Sequence, residues 1–184
     1  MKEIRLDNFP KWINDNTDGS KSVVELGAGF FQEFKHVNTN VPLKVGIEIY
    51  KPYIDNAKYH ECVKIQGDAL KYDELLTNYE LDTVMIIDVL EHFEKDTGYK
   101  LIERLKKDFN KILLMLPVGE YKQDKDVTGH GGHEYQTHKS YWYVDDIEKL
   151  DFDDNLIDLN FHSWRKNEDK SAETACYFGV WNKK

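Results

Sequence analysis

The sequence predicts a doubly wound α/β domain: a mostly parallel seven-stranded sheet with helices on both faces, closed by a C-terminal antiparallel hairpin. Three observations point there. Five short apolar runs, at residues 22–26, 43–49, 62–66, 81–89 and 111–116, alternate with amphipathic segments in the order of repeated strand, helix, strand units. Val84-Met85-Ile86-Ile87 and Ile112-Leu113-Leu114-Met115-Leu116 are apolar without a break, the condition of central strands covered on both faces. Two further strand-like runs, 156–164 and 174–181, are separated by the polar stretch 165–173 and read as the hairpin.

Taken in order, residues 1–20 form an N-terminal cap segment, with Trp12 expected to contribute to a lid. Helices are predicted over 30–36, over 52–59, where Pro52 suits a first turn, over 69–79, and over 96–108. The last carries Leu101, Ile102 and Leu105 on one stripe that faces the sheet. Residues 117–139, rich in glycine, histidine and charge, make a loop longer than a compact domain leaves without a functional reason, so they are assigned as the active-site loop. Ser140 is placed to cap a helix running to Leu150, and the acidic run 145–154 reads as a solvated face. No repeat or linker interrupts the chain, which is taken as one domain over 1–184.

Composition narrows the partners. Lysine and arginine number 25 against 34 aspartates and glutamates, a net charge of -9 that repels a phosphate backbone and disfavours nucleic acid. Cys62 and Cys176 stand apart in apolar surroundings, which argues against a disulfide framework and for a reducing compartment. With no leader-like N-terminus and no membrane-length apolar run, the expected location is the cytoplasm. Oligomeric state leaves no mark in the sequence.

Ligands of an open α/β sheet collect beyond the carboxyl ends of its strands, so the strand ends are where chemistry is sought. The first strand ends in Glu25-Leu26-Gly27-Ala28-Gly29, whose glycines admit a ligand against bare backbone. Glu48 closes the second strand about twenty residues later, the spacing at which a carboxylate accepts from both hydroxyls of a ribose. Gly67-Asp68-Ala69 follows the third, its carboxylate able to accept from an adenine amino group, and Asp88-Val89-Leu90-Glu91-His92 follows the fourth.

These residues resemble the class I S-adenosylmethionine-dependent methyltransferases over nearly the whole chain. Val23-Val24-Glu25-Leu26-Gly27-Ala28-Gly29 is similar to that family's first motif, Val45-Gly46-Ile47-Glu48 to its second-strand acidic motif and Gly67-Asp68-Ala69 to its adenine-contacting motif. The segment 82–93, DTVMIIDVLEHF, resembles the fourth strand of the small-molecule branch. The resemblance implies a Rossmann-like sheet whose seventh strand runs antiparallel, and S-adenosylmethionine as cofactor. It places Gly27, Ala28 and Gly29 against the methionine portion, Glu48 and Ile49 at the ribose, and Asp68 and Ala69 at the adenine. Glu25, Asp88 and Val89 then stand near the ammonium and methyl end. One departure is Phe31, where the family usually carries a third glycine; its side chain is expected to tighten or reshape the cleft.

Methyl transfer asks the protein chiefly to align a strong electrophile with a nucleophile and to remove the acceptor's proton. Histidine suits the second task, making His92, His133 and His138, with His130 beside them, the candidate bases. The run His130-Gly131-Gly132-His133-Glu134 and His138 holds metal-ligand types, but on a flexible glycine loop; no metal site is assigned. Tyr135, Tyr141, Trp142 and Tyr143 offer an aromatic wall for a small-molecule acceptor, with core packing the preferred reading for Trp142. Two other functions fit the same fold. One is a regulatory protein that binds the cofactor without turnover, motivated by Phe31 and by the absence of a separate substrate domain. The other is a nicotinamide-dependent oxidoreductase, against which stands Gln32 where a dinucleotide fingerprint needs a small residue. Glu48→Ala is expected to weaken cofactor binding while leaving the fold intact.

Overall fold

Ser22–Leu26 is buried at every position, as a strand covered on both faces must be, and it lies in the interior of the sheet. The computed structural model describes residues 2–3, 6, 8–125, 128–159 and 175–184. Its strands are β1 (Lys2–Glu3), β2 (Ser22–Leu26), β3 (Leu43–Glu48), β4 (Val63–Gln66), β5 (Thr83–Ile87), β6 (Lys111–Val118), β7 (Asp154–Asp158) and β8 (Ala175–Asn182). They form one sheet in the order β1-β7-β8-β6-β5-β2-β3-β4. All pairings are parallel except those of β8, which runs antiparallel to both β6 and β7.

The seven expected strands are present, and the eighth is the two-residue β1, which adds to the edge beside β7. Two residues carry no periodicity, so sequence pattern had nothing to read there. The expected run 156–164 is a strand only over Asp154–Asp158 among the described residues; positions 160–174, including the polar stretch, lie outside them.

Helices cover both faces. On one, α4 (Lys95–Asp108) buries Leu101, Ile102 and Leu105, the predicted stripe, together with Tyr72 and Leu76 from the region of α3 (Tyr72–Leu75). On the other lies α1 (Phe9–Thr17), capped by the Asn8 side chain, which accepts from the Lys11 amide at 2.9 Å. Alternation along the strands splits the core: Val24, Val84, Ile86, Ile112 and Leu114 face α4, whereas Val23, Met85, Leu113 and Met115 face α1. Trp12 of α1 stacks on Phe9 and meets Phe178 of β8 edge-on, so it packs on the sheet instead of forming a lid.

Several predicted helices are shorter than expected, each for a local reason. The segment 30–36 is only a 3-10 turn, Gln32–Lys35, because left-handed backbone at Gly27, Gly29 and Phe31 consumes the connection first. The second is α2 (Lys51–Asp55), ending before residue 59. The span 69–79 divides into a 3-10 turn, Ala69–Lys71, capped by Asp68, and α3. Ser140 caps no helix: its hydroxyl accepts from Trp142 Nε1 at 3.1 Å, and Gly119 N–H donates to Trp142 O at 2.7 Å. That stitching keeps 140–143 extended, and α6 begins only at Val144–Glu148, where Asp146 reaches back to the Tyr143 amide.

Candidate active site

β2 is flanked by β3 on one side and by β5 on the other, so the chain winds first outward and then back across it. The crevice this reversal opens at the carboxyl ends of the strands is a cleft of about 760 Å³. All ten residues expected around a cofactor line it: Glu25, Gly27, Ala28, Gly29, Glu48, Ile49, Asp68, Ala69, Asp88 and Val89. One helix of 14 residues is the longest, and no helix among the described residues is long and apolar enough to cross a membrane.

The floor is bare backbone held by a carboxylate. Gly27 has φ 67° and lies so close to Val89 that a Cβ there would come within 2.7 Å of its Cγ2, so only glycine fits. Gly29, at φ 51°, would meet nothing with an added Cβ, which leaves its surface open to the cleft. Its amide donates to Glu48 Oε2 at 2.8 Å, and the Tyr50 amide donates to Glu48 Oε1 at 2.8 Å. Glu48 therefore ties the glycine turn to the tip of β3, a structural duty the sequence reading, which left the fold intact without it, did not include.

Phe31 does not narrow the cleft as its position suggested. It adopts the left-handed conformation expected of glycine there, φ 60°, and its ring turns to the α1 face of the sheet, fully buried beside Phe34. The ring lies against Gly46 of β3, where a Cβ would come within 2.4 Å of it. Gly46 and Phe31 are therefore a matched pair, with the side chain missing from one strand supplied by the turn of its neighbour.

Acidity defines the cleft. Burial, with Glu33 and Glu48 nearby, pushes the Glu25 carboxyl well above the usual glutamate range. Burial likewise raises Glu33, outweighing Lys35, and raises Glu48 against the amides that bond it. Glu33 was not singled out from the sequence, although its place four residues after Gly29 in the turn leading from β2 was the available signal. Asp88 joins them from the tip of β5, held at φ 53° with its amide donating to Met115 O at 3.0 Å.

The other wall comes from the described part of the 117–139 segment, which was expected to be the active-site loop and carries α5 (His133–Gln136). Tyr50 Oη donates to His130 O at 2.8 Å, and Tyr53 Oη lies 3.1 Å from Thr128 Oγ1. Phe30 packs edge-on against His130, and an added Cβ at Gly131 or Gly132 would strike the Tyr50 side chain. Tyr121, Gln123, Tyr135 and Lys139 complete the lining. Trp142 is buried in the core against Gly98 and Tyr99, the preferred expectation for it.

The histidines separate. His92 lines the cleft, and so does His130. His138 stands behind His92, ring centroids 5.0 Å apart, and is buried. His133 opens α5; its side chain is outside the described part of the structure.

With this geometry in hand, relatives are found by fold alone. No protein-family model matches the chain, and no curated protein matches it by sequence. The N-terminal domain of EvdMO1, crystallised in the presence of SAH and D-fucose, superimposes with a TM-score of 0.63 at 14% identity, over 95% of this chain and 81% of that one. A SAM-dependent methyltransferase from Archaeoglobus fulgidus gives 0.58 at 15% identity, over 90% and 88%. The small RNA methyltransferase HEN1 gives 0.64 at 12% identity, over the whole of this chain and 27% of that one. The chain thus has the class I S-adenosylmethionine-dependent methyltransferase fold that its strand-end motifs implied.

Proposed function

We propose that this chain binds S-adenosylmethionine in the cleft and transfers its methyl group to an oxygen or nitrogen of a small-molecule acceptor. The observation that carries the reading is the convergence of Glu25, Glu33, Glu48 and Asp88 around the open backbone of Gly27 and Gly29. Such a site favours a ligand that is cationic at one end and carries ribose hydroxyls at the other. The bound cofactor supplies a methyl group already activated on a positively charged sulfur. Glu48 accepts from the ribose hydroxyls, Asp68 and Ala69 hold the adenine, and Glu25, Glu33 and Asp88 balance the ammonium. A pyrophosphate would face the same carboxylates, which weighs against the dinucleotide reading.

Proton removal from the acceptor is assigned to the His92 end of the cleft, because His92 is a candidate base that lines it. The reading of a binding protein without turnover rested on Phe31 and on the absence of a separate substrate domain; the Phe31 ring is buried in the core on the α1 face, away from the residues that line the cleft, which removes the first of these motives. Small acceptors are favoured over nucleic acid by the net charge of -9 and by the wall that 117–139 draws over the cleft.

The test is calorimetry with S-adenosylhomocysteine, followed by its release from S-adenosylmethionine across sugars, phenols, amines and a short RNA. Saturable binding and release with a small acceptor are expected. Tight binding of a nicotinamide dinucleotide without S-adenosylhomocysteine binding would overturn the cofactor assignment, and release with the RNA alone would overturn the acceptor class.

A further inference from the structure

The 3-10 turn Leu90–His92 that follows β5 is fastened to the far end of the 117–139 segment, because the Lys139 and Ser140 amides both donate to Glu91 O, at 2.8 and 3.1 Å. This brings His138 out of the histidine-rich run and against Glu91 and His92. His138 Nε2 stands 4.0 Å from Glu91 Oε1, with both side chains 1% exposed. His138 Nδ1 is 2.7 Å from Tyr121 O, and His92 Nδ1 is 3.3 Å from Thr137 O. A carbonyl oxygen only accepts, so in both rings Nδ1 carries a proton, and the neutral form of either ring has its lone pair on Nε2. A backbone carbonyl fixing one ring nitrogen is how proteins orient imidazoles towards a metal.

We propose that Glu91, His92 and His138 form a binding site for a divalent transition-metal ion beside the methyl-transfer cleft. One donor atom from each residue lies within 4.8 Å of the other two. With bonds of about 2.1 Å, two ligands of a tetrahedral ion stand roughly 3.4 Å apart, so the three groups need draw in by up to about 1.4 Å, a change of side-chain torsions. Two imidazoles and one carboxylate select the manganese-to-zinc series over magnesium or calcium, which prefer oxygen throughout. His92 lines the cleft, so the coordination positions that three protein ligands leave open face it. An acceptor hydroxyl bound there would shed its proton more easily. That role rests on the methyl-transfer reading; the ion site does not. Of the histidine-rich group to which the sequence analysis assigned no metal, His138 belongs to this set.

Cobalt(II) titration of the chelator-treated protein, followed by visible absorption, tests the site, with zinc calorimetry beside it. One equivalent is expected to bind, Glu91→Gln and His138→Ala each to weaken affinity 10–100-fold, and His60→Ala, at an exposed histidine, to leave it unchanged. Absence of saturable binding, or undiminished affinity in both ligand variants, would overturn the proposal. Should the buried variants melt, histidine ring nitrogen spectra of the unaltered protein decide. Zinc should move the Nε2 resonances of His92 and His138 while both Nδ1 protons persist, and unmoved resonances would refute the site. Calorimetry with S-adenosylhomocysteine in chelator keeps this outcome separate from failure of the cofactor assignment.

Discussion

Glu48 shows how one carboxylate serves both fold and ligand. It is buried and accepts from the Gly29 and Tyr50 amides, so Glu48→Ala leaves two donors unsatisfied and should cost about 1–3 kcal/mol. At roughly 2–4 °C per kcal/mol for a domain of this size, a thermal melt should show the loss alongside weaker S-adenosylhomocysteine binding. Phe31→Ala should behave differently: removing a fully buried ring costs about 3–5 kcal/mol, while calorimetry at a temperature where the variant is folded should find cofactor affinity within a few-fold. Glu25 carries a pH signature. Its carboxyl titrates above the usual 4.5, so the empty cleft holds its proton to higher pH than the unfolded chain does, and Glu25 costs stability as pH rises between those values. A cationic ligand favours the ionised form. Affinity should therefore climb as pH rises through the raised value, measured by calorimetry from pH 4.5 upwards, and Glu25→Gln should flatten that climb. The roles of Gly27, Glu48 and Asp68 were legible because glycine and carboxylate at strand tips have few other purposes. The orientation of Phe31 was not, since nothing local reveals that Gly46 leaves room for its ring.

Elements that pack by long periodic stripes were read from the sequence, and those held by single contacts were not. The stripe of α4 and the unbroken apolar runs of β5 and β6 fixed their places through burial alone. The short helices α2 and α3, by contrast, depend on turn geometry and capping, which tertiary contacts override. The 117–139 segment illustrates the same limit: its length announced a functional loop, but its seat depends on Tyr50 and Tyr53 from the α2 region. Tyr50→Phe removes the bond to His130 O while keeping the ring against Gly132. Hydrogen exchange should quicken over 128–136 in that variant, with the strands unaffected; unchanged protection would mean that the ring contacts alone seat the wall. Asp146 joins α6 to α4 through Lys95 and titrates below its usual value, as Lys95 and the Tyr143 amide outweigh the cost of burial. The stability it gives is present above pH 3.8, the usual aspartate value, and is lost as pH falls through the depressed one.

At the scale of the molecule, strand order is what gathers the site. Glu25, Glu48, Asp68 and Asp88 are spread over four separate connections, and only the reversal of winding at β2 makes them neighbours. A ligand spanning those tips should brace the whole sheet: S-adenosylhomocysteine at 100 times its dissociation constant adds about 2.7 kcal/mol and should raise the melting temperature by roughly 5–10 °C. If these tips enclose one adenosyl group, a crystal structure of the protein grown with S-adenosylhomocysteine will have ribose hydroxyls on Glu48, adenine beside Asp68 and Ala69, and the amino-acid portion over Gly27 and Gly29 towards Glu25. An empty cleft at saturating ligand, or the nucleoside bound elsewhere on the molecule, would contradict that arrangement.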